Sequence, residues 1–266
     1  MPTRALRTAA SGMYAQQLNI QVIANNIANI NTTSFKKSRT EFKDLMYQKL
    51  SANPQNIDMP GVVENANDTI QVGSGVKPSS TQKSFEQGVL RQTGHQLDVA
   101  IHGDGFFQVR KPDGTFAYTR DGSFKISADG SLVTSDGYIV EPGFTITDTT
   151  LSISISKDGV VSVKEAGGDK VELGTFQIAK FMNPAGLSAV GDNLYEETEA
   201  SGAPIIGDPA HDGFGDLNQG FLEASNVDIV EEMIDMIAAQ RAYEINSKTV
   251  KTVEDMLTIA NNLKRG

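Results

Sequence analysis

The chain has 266 residues, with 23 Lys and Arg against 33 Asp and Glu, and a formal net charge of −10 at pH 7. An acidic chain without long basic runs lacks the surface that general nucleic-acid binding requires. The absence of Cys excludes disulfides, thiolate metal sites and thiol nucleophiles, and no run of about 18 apolar residues predicts a membrane span.

The first predicted element is a helix at the amino terminus. Residues 8–35 contain no charged residue, and apolar side chains recur there every seven positions, as in a helix that packs against another helix. These seam residues are Leu6, Met13, Ile20, Ile23 and Ile27. A surface helix normally carries charges on its wet face, so a multi-chain bundle is favoured over a two-helix stalk whose wet face consists of amides. The amides of Gln16, Asn25 and Asn26 are expected to make polar helix contacts or to line a lumen.

Residues 46–80 are predicted to form an extended insertion and linker. Asn53-Pro54 and Pro60-Gly61 mark turns or extended chain within it. The amino terminus before the linker lacks the apolar core of a signal peptide, so any export is expected to leave it uncleaved.

Residues 81–220 are predicted to form an antiparallel β-rich domain. Short β-branched and aromatic runs alternate with Asp-Gly pairs, which readily form tight hairpin turns. These pairs are at 113–114, 121–122, 129–130, 136–137, 158–159 and 212–213. A calcium-binding role for them is the weaker alternative, because their spacing fits neither an EF-hand loop nor a Gly-Gly-x-Gly-x-Asp repeat.

The last predicted element is a helix of about 38 residues, or roughly 57 Å at 1.5 Å per residue. Ser225 and Asp228 have the spacing of a capping box, and Glu231 and Glu232 follow in the first turn, where the helix dipole favours negative charge. Its seam residues are Met236, Tyr243, Val250, Val253 and Leu257.

No catalytic, cofactor-binding or metal-binding site is predicted. His95, His102 and His211 lack a metal-ligand spacing, and there is no nucleophile elbow, phosphate loop or dinucleotide-binding glycine motif. The sequence therefore favours a protein that is not an enzyme and has no cofactor.

Four separated motifs resemble the bacterial flagellar rod and hook proteins, the axial family of the flagellum. The first comprises Ser11-Gly12-Met13 and residues 25–32, and the second is residues 97–107. Residues 118–124 and the carboxy-terminal run 220–257 follow in the same order. Within the family, the length of the middle and residues 183–187 and 191–195 resemble the distal rod type. Ser34 and Ser74 depart from the family pattern.

The resemblance implies an α+β fold with paired terminal helices forming an inner tube and a β domain packed outside it. It implies four segments: residues 1–45 and 221–266 in the inner core, 46–80 as an insertion that contacts neighbouring subunits, and 81–220 as the outer domain. The implied function is structural, as a subunit of the distal rod that self-assembles into a rigid hollow shaft. The shaft transmits torque to the hook and passes exported proteins.

The implied partners are copies of the chain, the proximal rod proteins, the hook protein and the flagellar type III export apparatus. The L- and P-ring proteins join them if an outer membrane is present, and the implied location is the rod that spans the periplasm. The ten seam residues would then pack between subunits. A hook or proximal rod subunit, or a monomeric β-domain binding protein with a helical stalk, remains an alternative.

Overall fold

The computed structural model describes residues 2–51, 69–147, 150–165 and 170–265. The turns predicted at Asn53-Pro54 and Pro60-Gly61 lie outside these residues. Two long helices, α1 (Pro2–Ala28) and α2 (Ile229–Arg265), flank a series of antiparallel strands, so the predicted α+β class is confirmed. Among the described residues, no helix is long and apolar enough to cross a membrane.

The helix ends differ in detail from the sequence prediction. α1 ends at Ala28, although the uncharged segment continues to Phe35. The chain turns instead, with the Thr32 N–H bonded to the Asn29 carbonyl at 3.1 Å. α2 begins at Ile229, so the capping role predicted for Ser225 is wrong. The Ser225 hydroxyl accepts a hydrogen bond from the Val227 N–H at 3.3 Å.

The chain forms two compact units, described here one at a time. Unit 1 comprises Met1–Ile27, Ser38–Gln82 and Ile229–Gly266, and unit 2 comprises Ala28–Lys37 and Lys83–Asp228. The division into four segments remains a prediction.

Unit 1 contains most of both helices and two short antiparallel ribbons. The strands are β1 (Ser38–Asp44), β2 (Gln48–Ser51), β3 (Thr69–Val72) and β4 (Val76–Lys83), of which the last residue belongs to unit 2. β1 pairs with β4, and β2 pairs antiparallel with β3.

Unit 2 contains the remaining strands. In chain order they are β5 (Leu90–Gln92), β6 (Val99–His102), β7 (Phe106–Arg110), β8 (Phe116–Thr119), β9 (Lys125–Ile126), β10 (Leu132–Val133), β11 (Ile139–Val140), β12 (Thr150–Ile155), β13 (Val160–Glu165), β14 (Lys170–Thr175), β15 (Ile178–Lys180), β16 (Ser188–Gly191), β17 (Leu194–Glu196), β18 (Ile205–Gly207), β19 (Asp216–Gln219) and β20 (Phe221–Glu223). A short 3-10 helix, Pro184–Gly186, precedes β16.

These strands form one large sheet and three smaller ones. The large sheet has the order β16-β17-β8-β7-β11-β10-β9, and β15 pairs with β7 and β18. The order β12-β13-β14 forms a separate three-stranded antiparallel sheet, and β19 with β6 and β20 with β5 form two-stranded ribbons. The core between them is apolar and includes Phe107, Phe176 and Ile178, all fully buried.

Five of the six Asp-Gly pairs lie at turns, as predicted, and Asp121-Gly122 does not. Four of them connect β7 to β8, β9 to β10, β10 to β11 and β12 to β13, and in each the glycine has a positive φ between 78° and 89°. Gly122 is required for a different reason, because a Cβ there would lie 1.6 Å from the Val99 carbonyl oxygen.

Candidate assembly interface

The two long helices of unit 1 contact each other in an antiparallel arrangement. Asn26 of α1 donates from Nδ2 to Glu232 Oε2 of α2 at 3.0 Å. Gly12 of α1 faces Asn246 of α2, where a Cβ on the glycine would lie 2.9 Å from Nδ2. The two contacts are separated by fourteen residues on α1 and by fourteen residues on α2. The numbering falls along α1 where it rises along α2, so the helices are antiparallel. Fourteen residues is two seven-residue repeats, so the same faces of both helices meet at the two points.

The polar contact at Asn26 is buried and fully paired. Asn26 is 2% exposed and Glu232 is 5% exposed. Asn26 Nδ2 also donates to the Ser38 carbonyl at 2.8 Å, and Asn26 Oδ1 accepts from the Ser38 N–H at 3.0 Å. Asn26 therefore binds the start of β1 to the helix pair.

The predicted seam residues are covered to different extents within the single chain. Ile23 and Val253 are buried. Seven of the others are half-buried, namely Leu6, Met13, Ile20, Ile27, Met236, Val250 and Leu257. Tyr243 is 39% exposed. Among the predicted polar residues, Gln16 is half-buried and Asn25 is exposed.

A second apolar stripe on α2 is exposed, and the seven-residue analysis did not identify it. It comprises Val230, Ile234, Ile237, Ile245, Met256, Ile259 and Leu263, which are 57–78% exposed. At about 100° per residue these side chains fall within a sector roughly 100° wide, on the side opposite Glu232, Ala239 and Asn246. Arg241 and Lys248 lie in the same sector and separate its two apolar ends. The sequence feature that could have identified this stripe is a second set of apolar residues at helical spacing within the same segment.

In unit 2, residues of two of the four sequence motifs, 118–124 and 220–257, meet Lys36 at one buried ion cluster. Glu223 Oε1 accepts a hydrogen bond from Lys36 Nζ at 2.6 Å, and Glu223 Oε2 accepts one from Arg120 Nε at 2.8 Å. The Gly88 N–H also donates to Glu223 Oε1 at 2.8 Å. Ser34 completes the cluster, since its hydroxyl donates to the Arg120 carbonyl and its N–H to the Glu223 carbonyl, both at 2.8 Å.

The electrostatics of the cluster follow from two cations sharing one carboxylate. Burial lowers the pKa of Lys36, and the attraction of Glu223 offsets this only in part. Burial alone would raise the pKa of Glu223, but the charges of Arg120 and Lys36 outweigh it and hold that pKa below its ordinary value. Lys36 Nζ also donates to the Glu86 carbonyl at 2.7 Å, and Arg120 Nη1 donates to the Gly105 carbonyl at 3.0 Å, so both cations have protein acceptors besides Glu223.

Asn226 adds a second polar connection near the cluster. Its Oδ1 accepts from the Lys37 N–H at 2.8 Å, and its Nδ2 donates to the Ser84 carbonyl at 2.9 Å. The segments 33–37, 84–88 and 223–226 are therefore fastened together within unit 2. This geometry suits rigid positioning of chain segments rather than chemistry on a substrate.

The described residues offer no grouping typical of a metal site, since no cluster of three or more His, Asp or Glu side chains occurs among them. His95 and His211 are exposed. His102 pairs through Nδ1 with Asp216 Oδ1 at 2.9 Å on the surface.

Three family models match separate parts of the chain. Residues 6–36 match the model described as "Flagella basal body rod protein", and residues 218–263 match "Flagellar basal body rod FlgEFG protein C-terminal". Residues 100–163 match "Flagellar hook protein FlgE/F/G D1 domain".

Similar proteins match over nearly the full length. The flagellar basal-body rod protein FlgG of Borreliella burgdorferi is 54% identical, with 98% of this chain and 99% of that protein covered. The FlgG proteins of Caulobacter vibrioides and Bacillus subtilis are 48% and 41% identical, each with 98% of this chain and 99% of the relative covered.

Proposed function

The chain belongs to the FlgG family of flagellar basal-body rod proteins, and from this premise we propose that it polymerises through its terminal helices into the hollow shaft of the distal rod. The family is structural, in agreement with the prediction that the chain is not an enzyme. The shaft transmits torque from the motor to the hook and passes exported flagellar proteins through its lumen.

The observation that carries the proposal is the pair of opposite apolar faces on α2. One face lies against α1, with Ala239 and Val253 buried. The other face, the stripe from Val230 to Leu263, is exposed in the single chain. A helix with apolar residues on two sides requires two partners, and copies of this chain supply the second.

The energy available at this interface is large. Burying a Val, Leu, Ile or Met side chain contributes about 1.5–3 kcal/mol. The stripe supplies seven such side chains per copy, and each contact is repeated along a polymer. The half-buried seam residues, among them Met13 and Leu257, would gain further burial there.

The distribution of charge also supports assembly through unit 1. The residue ranges of unit 1 hold 11 Lys and Arg and 11 Asp and Glu, and those of unit 2 hold 12 and 22. The net charge of −10 therefore belongs entirely to unit 2. Copies of unit 1 can pack together without net charge repulsion.

The rod family implies assembly with other axial proteins of the flagellum. We propose the proximal rod and hook proteins as neighbours along the axis, and the L- and P-ring proteins around it where an outer membrane exists. We also propose that the chain is exported through the flagellar type III apparatus with its amino terminus uncleaved. The rod that it forms spans the periplasm. In this proposal the inner tube is stabilised by the seam residues, among them Leu6, Ile20 and Tyr243. The amides of Gln16, Asn25 and Asn26 contribute polar contacts.

The test is electron microscopy of the concentrated protein and of Ile234→Asp, which places a charge on the exposed stripe. Straight hollow filaments are expected from the parent and none from I234D, while its circular dichroism stays that of the folded monomer. Ile206→Asp is the matched control, since Ile206 is 48% exposed on β18 in unit 2, and it should polymerise normally. Ile23→Asp also abolishes polymerisation, but Ile23 is 5% exposed, so that change perturbs the packing of the single chain too.

Deletion of residues 1–31 or 225–266 provides the second arm, and either deletion should abolish filaments. Curved filaments from the parent would indicate a hook-type subunit instead. Filaments formed equally well by I234D would refute the stripe as the interface.

A further inference from the structure

Strand β12 has a sequence that pairs readily with copies of itself. Its six residues, Thr-Leu-Ser-Ile-Ser-Ile, include no charge, no Pro and no Gly. Such a window with high β propensity forms intermolecular sheets when it is exposed at a sheet edge. Among the described strands, β12 pairs only with β13, so it lies at the edge of the sheet β12-β13-β14.

The opposite edge of the same sheet, β14, is protected by charged side chains. β14 carries Lys170 and Glu172, both exposed. Charged side chains on an edge strand oppose its pairing with another chain. β12 has no such residue, and Leu151 on it is 68% exposed.

Two glutamine side chains occupy the open edge of β12 instead. The Ile155 N–H donates to Gln219 Oε1 at 3.1 Å, and Gln219 Nε2 donates to the Ile153 carbonyl at 2.9 Å. The Ile153 N–H donates to Gln96 Oε1 at 3.1 Å. Gln219 Nε2 also donates to the Gln96 carbonyl at 2.7 Å, which holds the two residues together.

These bonds reproduce those of a neighbouring strand. A carboxamide offers one acceptor oxygen and an N–H donor, as a peptide group does. Ile153 and Ile155 are two residues apart, so their outward backbone groups lie on the same edge. Gln219 satisfies an N–H and a carbonyl of that edge at the spacing a paired strand would use.

We propose that Gln96 and Gln219 are specificity-determining residues that prevent β12 from pairing with β12 of a second copy. Their amides occupy backbone groups of this edge that a second copy would need for pairing. This proposal goes beyond the proposed shaft function. In a polymer, copies of the chain are held close together, so protection of β12 against pairing becomes more important.

The test uses the full chain and Gln219→Leu, which keeps the approximate size of the side chain and removes its amide. Thioflavin T fluorescence of Q219L is expected to rise with time while the parent stays at baseline. Fibre diffraction of the product should show the strand spacing of about 4.7–4.8 Å. This readout is independent of helical filaments, so failure of the shaft proposal and failure of this one are distinguishable.

Gln87→Leu is the matched control. Gln87 also bridges two backbone groups, the Ile101 carbonyl and the Gly103 N–H, each at 3.1 Å, but it does so away from β12. Q87L should stay at baseline.

A second substitution separates edge pairing from simple unfolding. Leu151→Lys in the Q219L background places a charge on the exposed edge, and we expect it to return the fluorescence to baseline. A Q219L protein that stays at baseline would overturn the proposal. So would fluorescence that persists after Leu151→Lys, or an equal rise in Q87L.

Discussion

Arg120 donates from Nε to Glu223 Oε2 at 2.8 Å, with the two side chains 4% and 0% exposed. Lys36, also 0% exposed, binds the other oxygen of the same carboxylate. A buried ion cluster contributes little net stability relative to a well-packed apolar core. The removal of one member is costly, because the remaining charges stay buried without their partner.

Glu223→Gln should strongly destabilise unit 2. The neutral amide leaves Lys36 and Arg120 without a counter-charge, and its nitrogen must face one of the two cations. We expect a loss of about 3–5 kcal/mol in the free energy of unfolding, measured by denaturant unfolding followed through the β-sheet signal. Glu196→Gln is the control, since the Glu196 carboxylate pairs with Lys111 and is 41% exposed, and we expect a loss of about 1 kcal/mol or less. Equal losses in both variants would contradict the role of the cluster.

The same carboxylate predicts a pH dependence. Although burial pushes the pKa of Glu223 upward, Arg120 and Lys36 hold it below the ordinary value of 4.5. The unfolded chain therefore binds this proton at a higher pH than the folded chain, so the stabilisation is complete above 4.5 and is lost as pH falls through the folded pKa. The difference in melting temperature between the parent and E223Q should shrink as pH falls below 4.5. A difference that stays constant down to strongly acidic pH would refute the prediction.

The long helices were predictable because their signals are local. Seven-residue repeats and a lack of Pro act within one segment, and α2 has 37 residues where about 38 were predicted. The end of α1 was not predictable from charge. The uncharged segment runs on to Phe35 because Ser34 and Phe35 are buried in unit 2, at 1% and 9% exposure, and not because the helix continues.

The ion cluster was not predictable as a site. Lys36 and Arg120 are 187 and 103 residues from Glu223 along the chain. Arg120 and Glu223 each belong to a recognised motif, but no spacing in a single sequence indicates that they meet each other and Lys36. The stripe that includes Ile234 and Ile259 was visible in the sequence, but only the position of α1 shows which face of α2 remains open.

The close approach of Gly12 to Asn246 predicts non-additive effects of substitution. Gly12→Ala should gain about 1 kcal/mol of helix propensity, but its Cβ would lie 2.9 Å from Asn246 Nδ2, so the amide must move. Asn246→Ala removes that clash. The double variant should therefore be more stable than the sum of the two single changes predicts, as measured by thermal unfolding of the helical signal in a double-mutant cycle. Additivity within about 0.3 kcal/mol would show that the two residues do not interact.

The unequal charge of the units predicts that polymerisation depends on salt. Unit 2 carries a net charge of −10 and unit 1 carries none, so each added copy brings ten negative charges into the polymer. Screening shortens from about 10 Å at 0.1 M salt to about 3 Å at 1 M, which weakens that repulsion. The protein concentration at which filaments first sediment should therefore fall as NaCl is raised.

Salt also strengthens apolar association, so a charge variant is needed to separate the two effects. Asp129, Asp136 and Asp158 are exposed residues of Asp-Gly turns in unit 2, and Asn-Gly forms the same turns. The triple change to Asn removes three negative charges without disturbing the hairpins. It should polymerise at a lower concentration than the parent at low salt, and its onset should change less with NaCl. An onset with the same salt dependence in both proteins would mean that the acidic surface of unit 2 does not limit assembly.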